Sequence, residues 1–144
     1  MGNRDVTTHK FAAVLNKKVE IGKAMNVLAH LTVSLVARAT PEERELMGLV
    51  DYSDKDGNHH TASKNSFVIL RADNGNKIRT ALNLAKEKGI RYADFTHTMQ
   101  EGTYIEQLDR TRATPEIELE YYGLLLFGEI DAVSEITRKF QLWK

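Results

Sequence analysis

The sequence contains no cysteine, only two prolines and one tryptophan, and no long apolar run. Without cysteine there is no disulfide, no thiolate nucleophile and no cysteine–zinc site, a composition typical of the reducing cytoplasm. No apolar run approaches the ~20 residues that a membrane helix needs, and the polar residues 1–10 do not resemble a signal peptide. We therefore expect a soluble, cytoplasmic protein that does not associate with membranes and folds without disulfides or metal ions.

The sequence also lacks an excess of charge, since 20 basic residues face 20 acidic ones. Proteins that hold nucleic acid mainly through its phosphates usually carry a clear basic excess, so the neutral balance does not favour tRNA as a partner. Lys17, Lys18 and Lys23 are consistent with a local basic surface, which keeps that partner open. Solvated lysines on a loop are the simpler interpretation of the same residues.

Apolar segments of strand length alternate with amphipathic helical segments along the whole chain. The length and the absence of a linker predict a flexible N-terminus over residues 1–9 and one α/β domain over residues 10–144. The alternation predicts three layers, with helices on both faces of a mixed, mostly parallel sheet of about four strands. The expected strands cover residues 11–15, 66–71, 91–98 and 119–127, and the longer helices cover residues 22–38 and 75–88.

Local signals mark two shorter helices and a hairpin. Thr40 with Glu43, and Thr103 with Glu106, form capping boxes at predicted helix starts. Strand arms at 49–52 and 59–62 flank the polar turn Asp54-Lys-Asp-Gly57. This turn resembles part of a calcium loop but lacks the full acidic spacing and the closing glutamate, so no metal site is predicted.

The first helix, from about Gly22 to Arg38, carries the most information about function. At 100° per residue most of its apolar residues, Met25 among them, fall within an arc of about 160°, which predicts a largely buried helix. A narrow strip remains, formed by Lys23, Asn26, His30 and Ser34, with Val27 beside them. The strip either lines a ligand cleft, with Lys23 at the positive end of the helix, or simply satisfies neighbouring backbone groups.

The motif Gly22-Lys23, with His30 seven residues after the lysine, is similar to the first helix of type II peptidyl-tRNA hydrolases. A later strand carries Asp94 with Thr98 four residues further on, a spacing that these enzymes share, and Gly102-Thr103 follows. The resemblance implies the fold of these hydrolases. It also implies a site in which Lys23, Asp94 and Thr98 converge.

Taken as a whole, the chain resembles more closely a bacterial family that shares this fold, domain of unknown function 2000. The hydrolases have Asp-Ala-Gly where this chain has Asp94-Phe95-Thr96, a difference that reshapes the pocket. The family therefore implies a fold without an assigned activity. The resemblance rests on Gly22-Lys-Ala-Met-Asn26 with Ala29, Tyr52-x-Asp-x-Asp-Gly57, Ala93-Asp-Phe-Thr96 with Met99, and Tyr122-Gly-Leu-Leu-Leu-Phe-Gly128.

The first functional hypothesis is a small hydrolase of an ester or amide bond that needs no cofactor. In it Asp94 activates a water molecule and Lys23 stabilises the oxyanion. Thr96 or Thr98 positions the water molecule or the substrate, and Gly22 and Asn26 contact the substrate. His30 acts as a general acid or base, or supports the site residues without touching the substrate. The alternative for the central pair is a plain Lys–Asp ion pair.

Two further hypotheses keep the question of enzymatic activity open. One is a non-enzymatic module that binds a small molecule or a peptide-like ligand in the same cleft. The other is a structural homodimer. A homodimer is expected in any case, because members of the fold group implied by the resemblance often pair.

Overall fold

The computed structural model describes residues 7–144. The predicted N-terminal segment 1–9 lies largely outside this range, and its last residue, His9, already belongs to the first strand. No helix among the described residues is sufficiently long and apolar to span a membrane. In chain order the elements are β1 His9–Asn16, α1 Ile21–Arg38, α2 Pro41–Leu46, β2 Leu49–Ser53, β3 His59–Ser63, β4 Phe67–Ala72, α3 Gly75–Glu87, β5 Arg91–Thr96, α4 Tyr104–Arg112, β6 Tyr121–Glu129, α5 Ile130–Thr137 and β7 Gln141–Leu142.

The main sheet has five strands in the order β5-β6-β1-β4-β7, and a separate two-stranded sheet pairs β2 with β3. Within this sheet β1 and β4 are the only neighbouring strands that pair in parallel; β6 is antiparallel to both of its neighbours, and β7 is antiparallel to β4. The prediction of a mostly parallel sheet of about four strands is therefore wrong. The direction of β6 was mispredicted, since β6 runs antiparallel between β1 and β5. The number of strands was too low because the C-terminal segment adds β7 at the edge.

Helices cover both faces of the sheet, as the sequence predicted. On one face α1 packs on a core that includes Phe11, Leu15, Phe95 and Phe127. On the other face α3 and α5 pack on residues such as Val14 and Leu124. Because β1, β4 and β5 run in the same direction, their carboxyl ends meet at one end of the sheet. That end, where α1 also begins, is the place where the sequence puts its candidate site.

The α1 helix lies close to β6 because position 123 has no side chain. A Cβ atom at Gly123 would come within 2.8 Å of a Val27 methyl carbon and 2.9 Å of one in Leu31. The side chains of α1 that are buried are Ala24, Val27, Leu31 and Leu35. The prediction of a largely buried helix is thus wrong for the single chain, because the sheet covers one side only and leaves the opposite apolar side in solvent.

Local signals located the shorter elements well. Both predicted capping boxes form, at Thr40 with Glu43 before α2 and at Thr103 with Glu106 before α4. The β2–β3 hairpin forms around the predicted polar turn, in which the Asp54 carboxylate accepts hydrogen bonds from the backbone N–H groups of Asp56 and Asn58. These interactions are local in sequence, so the pattern of residues is sufficient to predict them.

Candidate functional site

Lys23 lies in the first turn of α1 at the carboxyl end of β1. Its Nζ atom forms an ion pair with Oε1 of Glu101 at 3.6 Å, and its side chain is half exposed. The preceding Gly22 donates its backbone N–H to Glu20, which caps the helix at 3.1 Å. The predicted cation is therefore at the helix start, where it is paired with a carboxylate that the sequence did not single out.

Asp94 lies on β5 between Ala93 and Phe95, and both of these neighbours are buried in the α1 side of the core. Since adjacent strand residues point to opposite faces, the Asp94 carboxylate is directed towards the face that α3 covers. Burial raises the pKa of Asp94, and the charge of Lys86 on α3 and then that of Arg38 offset part of this increase. Asp94 is thus a partly buried, desolvated carboxylate.

The expected Lys23–Asp94 pair is not formed, because the sheet separates the two side chains. Lys23 belongs to the α1 face and pairs with Glu101, whereas the cation with the largest effect on Asp94 is Lys86 of α3. Among residues 7–144 Asp94 takes part in no ion pair. The ammonium group of Lys23 therefore has no direct access to a water molecule held by Asp94.

The two threonines of the predicted site are buried and bonded to each other. The hydroxyl oxygens of Thr96 and Thr98 lie 2.7 Å apart, and Thr111 of α4 donates its hydroxyl to Thr98 at 2.8 Å. The guanidinium of Arg110 also donates to the Thr98 carbonyl oxygen at 3.1 Å. These bonds tie the end of β5 to α4, so the threonines act within the structure as a connection between two elements.

The remaining predicted residues lie on the exposed side of α1 near β5. The ring of His30 packs on Phe95 with 5.7 Å between centroids, and Asn26 is exposed. Phe95 is only 4% exposed and therefore fills the corner beside His30. The structure brings His30 and Lys23 to one side of the molecule, whereas Asp94 is directed to the face of the sheet that α3 covers.

A large cleft that the sequence did not predict lies between α3, α5 and the end of β4. We call it the α3–α5 cleft; its volume is about 600 Å³. Four residues with apolar side chains line it, Ala81, Leu84, Ile136 and Phe140. Six basic residues surround them, while only Asp73 and Glu135 contribute negative charge; the basic residues are Lys17, Arg71, Lys77, Lys88, Arg138 and Lys139.

The acidic residues of the α3–α5 cleft neutralise only part of its charge. The Asp73 carboxylate lies between Lys17 at 3.0 Å and Lys77 at 3.6 Å. The hydrogen bond and charge of Lys17, followed by the charge of Lys77, lower the pKa of Asp73. Within the part of the chain that the structure describes, Lys88 and Lys139 form no ion pair.

The sequence contains no motif for this cleft and only a weak signal, the spacing of the residues that line it on and just after α3. Lys77, Ala81, Leu84 and Lys88 are spaced along one face of α3, so a helical wheel would place them together. The basic pair Arg138-Lys139 comes next to them only because α5 and α3 pack on the same sheet face. Among residues 7–144 no group of three or more histidine, aspartate or glutamate residues is arranged to hold a metal ion.

Comparison with known proteins identifies a family but no function. The family described as "Protein of unknown function (DUF2000)" matches residues 9–144. The fold is similar to that of a protein of unknown function, Atu0240, from Agrobacterium tumefaciens strain C58, with 20% identity, a TM-score of 0.78, and coverage of 96% of this chain and 100% of that chain. No curated protein matches the sequence. The chain therefore belongs to the domain of unknown function 2000 family, as its motifs indicated.

Proposed function

We propose that the protein is a non-enzymatic module that binds a small anionic molecule in the α3–α5 cleft. One observation carries the proposal: six basic side chains and only two acidic ones surround the apolar residues of this cleft. A volume of about 600 Å³ lies within the range of small-molecule sites. Like charges that converge on a concave surface raise the local concentration of oppositely charged ligands.

The chemistry of the cleft indicates the class of ligand. Lysine ammonium groups bind phosphate or carboxylate oxygens as point charges, and Arg71 and Arg138 add planar donors. The side chains of Leu84, Ile136 and Phe140 provide contact area for an apolar portion of the same molecule. We therefore expect a ligand with one or more phosphate or carboxylate groups and an apolar body, rather than a bare inorganic ion.

Titration calorimetry and thermal shift tests against nucleotides, sugar phosphates, long-chain carboxylates, acidic peptides and tRNA would examine this proposal. We expect stabilisation by at least one small anion, and we expect added salt to weaken it because ionic contacts at a protein surface are screened. Lys139→Glu reverses one unpaired charge of the cleft and should weaken binding about tenfold or more, equivalent to about 1.4 kcal/mol.

Lys55→Glu provides the matched control, because it makes the same change of net charge on the exposed hairpin turn, away from the cleft. Its affinity for the ligand should equal that of the parent protein. The proposal fails if no small anion stabilises the fold, or if the two lysine variants weaken binding equally. Stabilisation by tRNA alone, with the same loss in both variants, would instead indicate a diffuse electrostatic contact.

A second candidate function, favoured by the desolvated carboxylate of Asp94, is the hydrolysis of an ester or amide bond. Carboxylates with a pKa raised by burial are frequent among general bases. The resemblance to type II peptidyl-tRNA hydrolases supports this candidate as well, and a cytoplasmic location suits both functions. An oxyanion near Asp94 would need a donor other than Lys23, since Lys23 pairs with Glu101.

Turnover of aminoacyl and acyl esters by the purified protein tests the second candidate. Asp94→Asn should abolish any genuine turnover without lowering the thermal stability of the protein, whereas Lys23→Ala should leave turnover unchanged. Activity that survives Asp94→Asn would exclude Asp94 as the base and leave the binding function as the proposal.

A further inference from the structure

A second cavity lies at the end of the main sheet opposite to the predicted site, where β1 and β5 begin and β6 ends. We call it the strand-end pocket; its volume is about 390 Å³. The strand register pairs Arg91 with Phe127 and Glu129 with His9, and these four residues line the pocket together. Residues that are paired across strands, or two apart on one strand, share a face of the sheet. The four side chains therefore project to the same side, where α2 contributes a further wall.

Part of the lining of the strand-end pocket is apolar. The ring of His9 stacks on that of Phe127, with 5.4 Å between the centroids and 28° between the planes. The Nδ1 atom of His9 lies 2.7 Å from the hydroxyl oxygen of Thr8, and this interaction holds the ring in its orientation. Leu46 of α2 and Ile90, which precedes β5, add aliphatic side chains. These side chains offer contact area to an apolar group of a ligand.

Arg91 provides fixed hydrogen-bond donors at the same pocket. Its Nε atom donates to Oε1 of Glu43 at 3.0 Å, and its Nη2 atom lies 3.0 Å from the same oxygen. Glu43 is itself held in place, since it accepts the backbone N–H of Thr40 at 2.9 Å. A guanidinium carries several N–H donors, and Glu43 engages only those on Nε and Nη2. The hydrogen atoms on Nη1 remain for a further acceptor, and carboxylates are strong partners of arginine.

Two residues of opposite charge also line the pocket, Lys88 after α3 and Glu129 at the end of β6. Both are exposed, and within residues 7–144 neither takes part in an ion pair. The α3–α5 cleft differs in this respect, because six basic residues there face only two acidic ones. A plain anion in the strand-end pocket would be repelled by Glu129, and a plain cation would be repelled by Arg91 and Lys88.

From these observations we infer that the strand-end pocket binds a small zwitterion, a free α-amino acid with an apolar side chain. The carboxylate of this ligand accepts hydrogen bonds from Arg91 and Lys88, and its ammonium group pairs with Glu129. Its side chain lies against Leu46 and Ile90. A volume of about 390 Å³ is at the lower end of the range of small-molecule sites, which suits a ligand of this size.

This inference does not depend on the proposed function. The two cavities share Lys88, but the other residues of the strand-end pocket do not line the α3–α5 cleft. Glu129 is the best position for a test, because its side chain makes no capping hydrogen bond at the start of α5. Glu129→Gln removes the charge, keeps the size of the side chain and should leave the fold intact.

Titration calorimetry with leucine, methionine and phenylalanine tests the inference on the full chain. Each amino acid is compared with the amine that lacks its carboxylate and with the acid that lacks its ammonium group. We expect at least one of the three amino acids to bind. Both of its analogues should bind about tenfold more weakly or worse, since each loses hydrogen bonds to a charged group.

Glu129→Gln should weaken binding of the same amino acid by a similar factor. Asp131→Asn is the matched control, because it removes the same charge from an exposed position in the first turn of α5 that does not line the pocket. It should bind like the parent protein, and so should Lys139→Glu in the α3–α5 cleft. The inference is overturned if none of the three amino acids binds, or if an analogue binds as tightly as its amino acid. It is equally overturned if Asp131→Asn or Lys139→Glu weakens binding as much as Glu129→Gln.

Discussion

Replacing Gly123 with alanine tests how closely α1 is packed on the sheet. The added Cβ atom would lie 2.8 Å from Val27, 2.9 Å from Leu31 and 3.1 Å from Leu15. All three side chains are at most 3% exposed, so they have little free space into which they can move. Overpacking of this kind costs about 1–3 kcal/mol. We therefore expect Gly123→Ala to lower the free energy of unfolding by about 2 kcal/mol.

The expected change in melting temperature follows from the size of the protein. With about 2.1 cal/mol/K of unfolding entropy per residue, a loss of 2 kcal/mol lowers Tm by about 7 °C. Urea unfolding followed by circular dichroism gives the free energy directly. Gly128→Ala on the same strand is the control: its Cβ atom would meet Ile90 and Val133 at 3.2–3.3 Å, a contact that a small shift relieves. Equal losses in both variants would refute the close α1–β6 packing.

Three other changes test the ion pairs and caps. Burial alone would raise the pKa of Glu43, but hydrogen bonds from Arg91 and from the Thr40 backbone outweigh this effect and lower the pKa. The Glu43–Arg91 ion pair therefore stabilises the fold above the ordinary pKa of Glu43. This contribution is lost as pH falls through the pKa of Glu43 in the folded state. Arg91→Ala should thus lower Tm at pH 7, and this loss should shrink as pH falls through the folded pKa of Glu43. Thr103→Ala removes the N-terminal cap of α4 and should lower the local stability of this helix by about 1 kcal/mol, which faster amide hydrogen exchange in α4 would report. The change in Tm should be smaller. Because burial raises the pKa of Asp94, its ionised form is disfavoured in the folded state. Asp94→Asn should therefore raise Tm most above the folded pKa, and the gain should fade as pH falls from there to the ordinary pKa of an aspartate.

The layers of the fold were predictable from the sequence because they depend on local patterns. The capping boxes at Thr40 and Thr103 and the hairpin around Asp54 involve residues that are neighbours in the chain. The direction of β6 was not predictable in this way. Residues 103–118 intervene before it, and a connection of that length permits either direction; pairing with both β1 and β5 then decides the matter.

The burial of α1 shows a different limit of sequence analysis. Periodicity correctly found an apolar helix, but it could not tell which part of a wide apolar arc the sheet would cover. Val27, assigned to the polar strip, is fully buried beneath Gly123, whereas Met25, assigned to the buried arc, is 64% exposed.

The α3–α5 cleft could not be predicted because its charges come from distant segments. Lys17 follows β1, Lys77 belongs to α3 and Arg138 follows α5, and only the shared sheet face brings them together. The neutral net charge gives no indication of this cluster of basic residues, since acidic residues elsewhere in the chain balance their charge. Overall charge therefore argues against a protein-wide attraction for nucleic acid, but it places no limit on one basic cleft.

The separation of Lys23 from Asp94 follows from the alternation of side chains along β5, in which Ala93 and Phe95 face α1. Spacing along the chain correctly predicted that Asp94 lies on a strand. Because side chains alternate along a strand, only one of the adjacent residues Asp94 and Phe95 can face α1. Burial of a phenylalanine side chain gains about 1.5–3 kcal/mol, whereas burial of a carboxylate is costly, so Phe95 takes the inward position. Phe95→Ala should cost about 3–5 kcal/mol and yet leave Asp94 on the α3 face, because the parity of the strand is unchanged. The pKa of Asp94 measured by NMR in that variant should then not respond to Lys23→Ala, and a shift of about one unit would contradict this account of the site.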